Sequence, residues 1–146
     1  MIKSMIFLTM FCSTILISGE AKCINVEGIS PYIDTNHSLS KDDVLKYNLK
    51  VKICRDSYVK ELERIASELQ RKHFKMVANI SSIDYRMRVE IPLENGSKEL
   101  WFSSGMSSVS CDGKFFFVDK KGVRVLRAYF QKTIAEFMRP KLPEPK

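Results

Sequence analysis

Histidine is scarce in this chain, and so are the motifs that usually carry chemistry. Only His37 and His73 occur among 146 residues, and neither has a Ser, Cys or second His at a catalytic or metal-binding spacing. No GxSxG, HExxH, P-loop or GxGxxG segment is present in the sequence. The chain therefore lacks the signatures of the common nucleophilic, metal-dependent and phosphate-binding enzymes, and we expect no metal or cofactor.

Glycine and proline are also few, at 6 and 5 residues, and the sequence contains no internal repeat. These values exclude a collagen and a disordered tail protein. Hydrophobic residues make up 45% of the chain, which is enough for one core. The length leaves no room for a second core, so we expect a single small domain.

The N-terminus carries the one long apolar run. Residues 5–17 are apolar or small and uncharged, Lys3 precedes them, and the small residues Gly19 and Ala21 follow. This is the layout of a secretory signal peptide. The run of about 13 residues is shorter than the roughly 20 that a membrane-spanning helix needs. We therefore predict a signal peptide at 1–21, no transmembrane segment after cleavage, and an exported protein that is periplasmic or secreted.

Cleavage would leave three cysteines, Cys23, Cys54 and Cys111. In an oxidising compartment this odd number predicts one disulfide with a spare thiol, or an intermolecular bridge, and three pairings are open. The wide spacing, with no CxxC pair, disfavours a zinc site. We favour Cys54 with Cys111, because both flank regular elements whereas Cys23 lies in an irregular segment.

The mature chain is expected to divide into an N-terminal arm at 22–46, a single α+β domain at 47–139 and a flexible tail at 140–146. Gly28 and Pro31 interrupt any periodicity in the arm. Ser40 and Asp43 form a capping box that predicts a short helix from Lys41. The prolines in the last seven residues favour a frayed end.

Two amphipathic helices are predicted from apolar residues at three- and four-residue spacing. The first follows Asp56, and the second ends near Met138, before Pro140. The start of the second is open, because 119–122 is also compatible with a hairpin turn before a short strand at 123–125. The apolar faces comprise Val59, Leu62, Ile65, Ala66, Leu69 and Met76 in the first helix and Leu126, Tyr129, Phe130, Ile134 and Phe137 in the second.

Alternating apolar and charged residues between 83 and 93 predict a half-buried strand. Asn95-Gly96 favours a two-residue turn, and that turn would place Glu90 opposite Trp101. Asp112-Gly113 predicts a second hairpin. The apolar positions Ile83, Tyr85, Met87, Val89 and Ile91 are expected to face the core. The predicted fold is an α+β domain: an antiparallel three- to four-stranded meander with the two helices packed on one face.

The polar face of the first hairpin is the predicted partner-binding site, formed by Arg86, Arg88, Glu90 and Trp101. Trp and Arg dominate binding energy when a partner buries them, and this is the only Trp in the chain. Two alternatives remain open: an Arg that stacks on Trp101 within the monomer, or another element that covers this face.

Glu90 and Glu99 lie on the same hairpin face, and two close carboxylates can divide acid and base roles in sugar hydrolysis. Charged residues on a solvated hairpin face are far commoner than a catalytic pair. A small secreted hydrolase is therefore an alternative, and an enzyme is not the favoured interpretation.

Positive charge is concentrated at the C-terminal end, where 120–146 holds eight Lys or Arg against Glu136 and Glu144. Such a segment attracts an acidic protein, an anionic membrane or a polyanion, or is simply a solvated surface. We expect no specific nucleic-acid binding. By elimination, the sequence favours an exported, non-catalytic binding protein, most concretely a periplasmic inhibitor or immunity-type protein, with an envelope assembly accessory factor as a further alternative.

Export has a direct test. If the signal peptide is cleaved as its small residues predict, mass spectrometry of natively expressed protein will find an N-terminus near Glu20 or Lys22. An intact Met1 in a membrane fraction would contradict this expectation.

Overall fold

One antiparallel sheet organises the chain. A computed structural model describes residues 22–47, 49–77, 83–135 and 137–138. The predicted signal peptide at 1–21 and tail at 140–146 lie outside the described residues. The sheet has seven strands in the order β2-β1-β4-β5-β6-β7-β3. Its strands are β1 (Ile24–Gly28), β2 (Lys50–Ile53), β3 (Phe74–Val77), β4 (Tyr85–Leu93), β5 (Gly96–Ser103), β6 (Ser108–Cys111) and β7 (Lys114–Val118).

Three helices accompany the sheet: α1 (Lys41–Lys46), α2 (Asp56–Lys72) and α3 (Lys120–Thr133). The predicted α+β class is confirmed, but the sheet has more strands than the three or four expected. The capping box of Ser40 and Asp43 is present at the start of α1. Asp119 caps α3, which settles the open start of that helix in favour of Lys120. None of the helices in the described ranges is long and apolar enough to cross a membrane.

Two of the additional strands come from segments predicted otherwise. The arm contributes β1, whose Ile24 and Val26 are fully buried between β2 and β4. The segment around Met76, assigned to the first helix by its spacing, forms β3 instead and pairs with β7. Both segments are short, and pairing with a distant strand overrides a local periodicity of so few residues.

The main core lies between one face of the sheet and the helices α2 and α3. Most of the periodic residues predicted for these helices fill it, including Leu62 and Phe130, which are fully buried. Met76 is exposed in β3 instead, and α3 ends at Thr133 rather than near Met138, so Ile134 and Phe137 enter the core from beyond the helix. Gly122 permits the close approach of α3 to the sheet. A Cβ at this position would lie 2.7 Å from the Val118 side chain and 3.1 Å from that of His73.

A second apolar cluster lies on the opposite face of the sheet. The arm and α1 cross this face, and their side chains pack against residues of β4 and β5. The buried members of the cluster are Ile29, Ile33, Leu39, Val44, Tyr85 and Trp101. Both faces of the sheet are therefore at least partly covered.

The first hairpin closes in a different register from the one predicted. Leu93 pairs with Gly96, so the turn residues are Glu94 and Asn95, and Trp101 lies opposite Arg88 rather than Glu90. Neither turn residue has a positive φ, whereas Gly96, which follows them, has a φ of 126°. The partner of each residue shifts by two positions, so inward and outward faces are preserved.

A bulge between Tyr85 and Met87 does change the facing of side chains. Met87 and Val89 lie in the main core as predicted. Tyr85 and Ile83, which were also predicted to face that core, lie in the second cluster. An extra residue in one strand shifts the alternation beyond it to the other face.

The disulfide joins Cys23 to Cys54, and the predicted pairing of Cys54 with Cys111 is wrong. Because β1 and β2 are antiparallel with Ile24 opposite Ile53, their neighbours Cys23 and Cys54 lie side by side, with Cα atoms 4.2 Å apart. Cys111 is a free thiol buried in the main core. A disulfide is compatible with an exported protein.

The bridge predicts a stability effect. Cys54→Ser should lower the free energy of unfolding by about 3 kcal/mol, because the bridge restricts the unfolded chain and ties the edge strand β2 to β1. Denaturant unfolding of the oxidised protein measures this difference. In the same preparation, labelling of unfolded, unreduced wild type should modify Cys111 alone among the described cysteines, and a labelled Cys54 would contradict the pairing.

Candidate functional site

The four residues of the predicted binding site do not form a common exposed face. Arg86 is 3% exposed and Trp101 is 6% exposed. The side chains of Arg88 and Glu90 retain 20% and 29% of their accessibility. The expectation that all four point into solvent is wrong, because the arm and α1 cover one end of this face.

Trp101 is packed on several sides. Its ring meets Tyr85 edge to face, with centroids 6.0 Å apart, and the Nζ of Lys41 lies 5.1 Å from the ring centroid. Its Nε1 donates to Glu99 Oε2 at 3.2 Å. Arg88 also lies near the ring, with Cζ 5.9 Å from the centroid. These contacts match both alternatives to partner binding: a covered face and an Arg near the Trp of the same chain.

Arg86 anchors the arm to the sheet. Its guanidinium donates to Thr35 Oγ1 at 2.7 Å and to the carboxylate of Asp84. The other Asp84 oxygen accepts from the backbone N–H of Leu39 at 2.9 Å. Arg86 Nε is buried with no hydrogen-bond partner in the described part of the chain. Sequence reasoning missed Asp84 and Thr35, since only contact between distant segments gives them this role.

Arg88 is the centre of an ion-pair network across three strands. It donates from Nε to Glu99 Oε1 at 3.1 Å and from a terminal nitrogen to Glu27 Oε2 at 3.0 Å. The hydrogen bonds from Arg88 lower the pKa of Glu99. Burial alone would raise the pKa of Glu27, but hydrogen bonds from Arg88 and Lys50 outweigh it, and that pKa is also lowered. Both carboxylates are therefore held in their ionised form.

This network bears on the carboxylate pair considered for hydrolysis. Glu90 and Glu99 are directly opposite in the β4–β5 pairing. Glu90 accepts from Ser97 at 2.9 Å and from Asn25 at 3.3 Å. A glycosidase acid needs a raised pKa, whereas the pKa of Glu99 is lowered. The pair therefore gives no support to acid catalysis by Glu99.

The part of the hairpin face that stays accessible forms a small open groove. Its volume is about 260 Å³, and Trp101 lies in its wall between the charged residues Lys41, Glu99 and Asp112. The lining is mostly polar. Across the described ranges, no cluster of three or more His, Cys, Asp or Glu is placed to hold a metal ion.

A second candidate surface forms where α2, β3 and α3 meet. His73 Nδ1 and Asp119 Oδ2 are 2.8 Å apart, and the Asp119 N–H donates to the His73 carbonyl at 3.2 Å. The N–H of Gly122 and the His73 ring lower the pKa of Asp119. Five exposed cations lie on the elements that these contacts join. This surface, here named the basic edge, consists of Arg71, Lys72, Lys75, Lys120 and Lys121.

The basic edge is only partly neutralised. Lys72 pairs with Glu68 at 3.2 Å, whereas the other four cations make no ion pair with any residue that the structure describes. Two large apolar side chains border it: Met76 is 71% exposed and Phe117 is 53% exposed. The charge of 120–121 was evident in the sequence. The contribution of 71–75 was not, because it depends on the pairing of β3 with β7.

Comparisons with known proteins found no match: no family model, no curated protein and no solved structure corresponds to this chain. An α+β architecture by itself does not assign an activity, since unrelated functions share folds. Function is therefore inferred from the described surfaces alone.

The burial of Trp101 predicts a large stability effect. Trp101→Ala should lower the free energy of unfolding by about 3 kcal/mol or more, as truncation of a buried aromatic ring does. Arg88→Ala, at a partly solvated ion pair, should cost about 1 kcal/mol. Denaturant unfolding of both variants measures the contrast. A loss below about 1 kcal/mol for Trp101→Ala would show that the ring is not part of the packed second cluster.

Proposed function

We propose that this chain is a small exported, non-catalytic binding protein that acts by contact with another protein. Its most concrete form is a periplasmic inhibitor or immunity-type protein that covers a surface on a toxin or hydrolase. The observation that carries this proposal is the basic edge, where four exposed cations have no ion-pair partner in the described chain and the strands β3 and β7 also expose Met76 and Phe117.

The stability of the fold does not account for this charge. Lys120 and Lys121 occupy the first turn of α3. Positive charge at a helix N-terminus is unfavourable by about 0.3 to 1 kcal/mol, and close like charges add repulsion. An acidic partner surface would offset both terms. Cationic clusters also raise the rate of association with an acidic partner.

Besides charge, a protein contact needs apolar surface, and exposed apolar side chains supply it here. Interfaces combine an apolar centre with a charged or polar rim. Met76 and Phe117 are two of the five large apolar side chains exposed among the described residues, and they lie on paired strands but on opposite faces of the sheet. A partner that covers either side chain while pairing with the cations of the basic edge would combine apolar and charged contacts.

The hairpin face is a second, smaller contact candidate. Arg88 and Glu90 retain partial accessibility beside the groove formed with Lys41, Glu99 and Asp112. The buried members of the predicted site, Arg86 and Trp101, would support this contact indirectly by holding the arm and the groove wall in place. In the secreted hydrolase alternative, the lowered pKa of Glu99 does not suit the acid role.

Charge reversal at the basic edge tests the proposal. Lys120→Glu/Lys121→Glu should keep its fold, because acidic residues in the first turn of a helix are favourable. The matched control is Lys52→Glu, which reverses an exposed cation on β2, at the opposite edge of the sheet. Each variant is immobilised, and proteins captured from an envelope extract of the native cells are quantified.

Wild type and Lys52→Glu should retain the same stoichiometric protein partner, and Lys120→Glu/Lys121→Glu should bind it about tenfold more weakly. Equal binding by all three proteins would exclude the basic edge as the contact. If none of them retains a stoichiometric partner, the binding role is overturned. Capture of an envelope assembly complex would overturn the inhibitor form of the proposal.

A further inference from the structure

Within the described chain, some backbone N–H and C=O groups of β3 have no partner strand at the edge of the sheet. In the described chain, β3 pairs with β7 on one side only. The Asp119 N–H donates to the His73 carbonyl, which makes 73 and 119 a hydrogen-bonded pair. Antiparallel pairing alternates, so Lys75 also directs its N–H and C=O toward β7. Phe74 and Met76 therefore direct theirs away from the sheet.

The surroundings of this edge are suited to an added strand. Met76 projects from one face of β3, while Phe117, opposite Lys75, projects from the other face of the sheet. Both are exposed, but Met76 lies on the edge strand itself, whereas Phe117 lies one strand further in, behind Lys75. An added strand would therefore find an apolar side chain at Met76 on one face and a cation at Lys75 on the other. Such a strand would gain main-chain hydrogen bonds from β3 and side-chain contacts from these flanking residues.

We propose that the partner contributes an extended acidic segment, which pairs with the open edge of β3 as an additional strand of the sheet. This inference rests on the proposed function and specifies the chemistry of the partner at the same surface. On one face of the segment, acidic side chains would neutralise Lys75, while on the other face its apolar side chains would cover Met76.

Charge argues against a second copy of this chain as the occupant. Pairing of two β3 strands would bring two copies of the basic edge together, and opposed like charges destabilise a strand pair. The opposite edge, β2, is a poorer site for the same segment. None of its described side chains is a large exposed apolar group, and Lys50 already pairs with Glu27 at 3.2 Å.

A peptide probe tests strand pairing directly. The probe is a short peptide that alternates glutamate with valine, and its binding to the full chain is followed by NMR titration. A peptide with lysine in place of each glutamate reports on charge. A third peptide, N-methylated at every residue, cannot donate main-chain hydrogen bonds to β3 by either edge, which tests pairing without altering the protein.

Proline variants provide the matched test on the protein. Met76→Pro removes an N–H that points away from β7, so the sheet should remain intact. The control is Lys52→Pro. The Gly28 N–H donates to the Leu49 carbonyl, and by the same alternation the Lys52 amide points away from β1.

The glutamate peptide should bind wild type and Lys52→Pro alike, with the largest shifts at 74–77, and bind Met76→Pro at least about tenfold more weakly. The lysine and N-methylated peptides should also bind wild type at least about tenfold more weakly than the glutamate peptide does. Equal binding of the N-methylated and unmodified peptides would overturn strand pairing, and equal binding of the lysine and glutamate peptides would overturn the acidic assignment. A dimer of wild type that Met76→Pro abolishes in sedimentation would assign the edge to a second copy instead.

The two proposals fail in different ways. If Met76→Pro still captures the native partner and Lys120→Glu/Lys121→Glu does not, the binding function stands and strand pairing is wrong. If neither wild type nor any variant captures a partner, the proposed function itself fails.

Discussion

The buried ion pair of Arg86 and Asp84 is the interaction on which the second face of the structure depends. A guanidinium that is 3% exposed is tolerated only with a close carboxylate and further hydrogen bonds. Asp84 and Thr35 supply them, and Asp84 also binds the backbone of Leu39. Removing the Asp84 carboxylate would leave the buried Arg86 guanidinium without its charged partner, whereas the Asp84 side chain is itself partly accessible. The pair thus joins two segments far apart in the chain and holds the arm across the sheet.

The position of the arm determines which surfaces remain accessible. Ile33, Leu39 and Val44 cover the end of the hairpin face where Trp101 lies, so the residue best suited to an interface becomes part of the fold. The ion pairs of Arg88 then satisfy most of the charges on the remainder of that face. Unsatisfied charge and exposed apolar area occur together instead at β3, where the helix ends converge.

The disulfide and the proposed binding surface therefore lie at opposite edges of the sheet. At one edge, the Cys23–Cys54 bridge fastens β2 to β1. At the other edge, β3 pairs with a single strand in the described chain. Met76 is exposed there, near cations that form no ion pair with any described residue. Edge strands are usually protected by charge, and the lysine in the middle of β3 provides such protection against self-association while remaining compatible with an acidic strand.

The sequence by itself determined the features that follow from local periodicity: the apolar faces of α2 and α3, the alternation of β4 from Met87 onward, the capping box of α1 and the α+β class. Only the tertiary structure decided the partner of Cys54, the burial of Arg86 and Trp101, and the strand at Met76. A periodic pattern shows which side chains share a face, but not which distant segment covers that face. Here the arm covers the second face of the sheet. Its strand β1 is too short for the sequence pattern to predict which strands it pairs with.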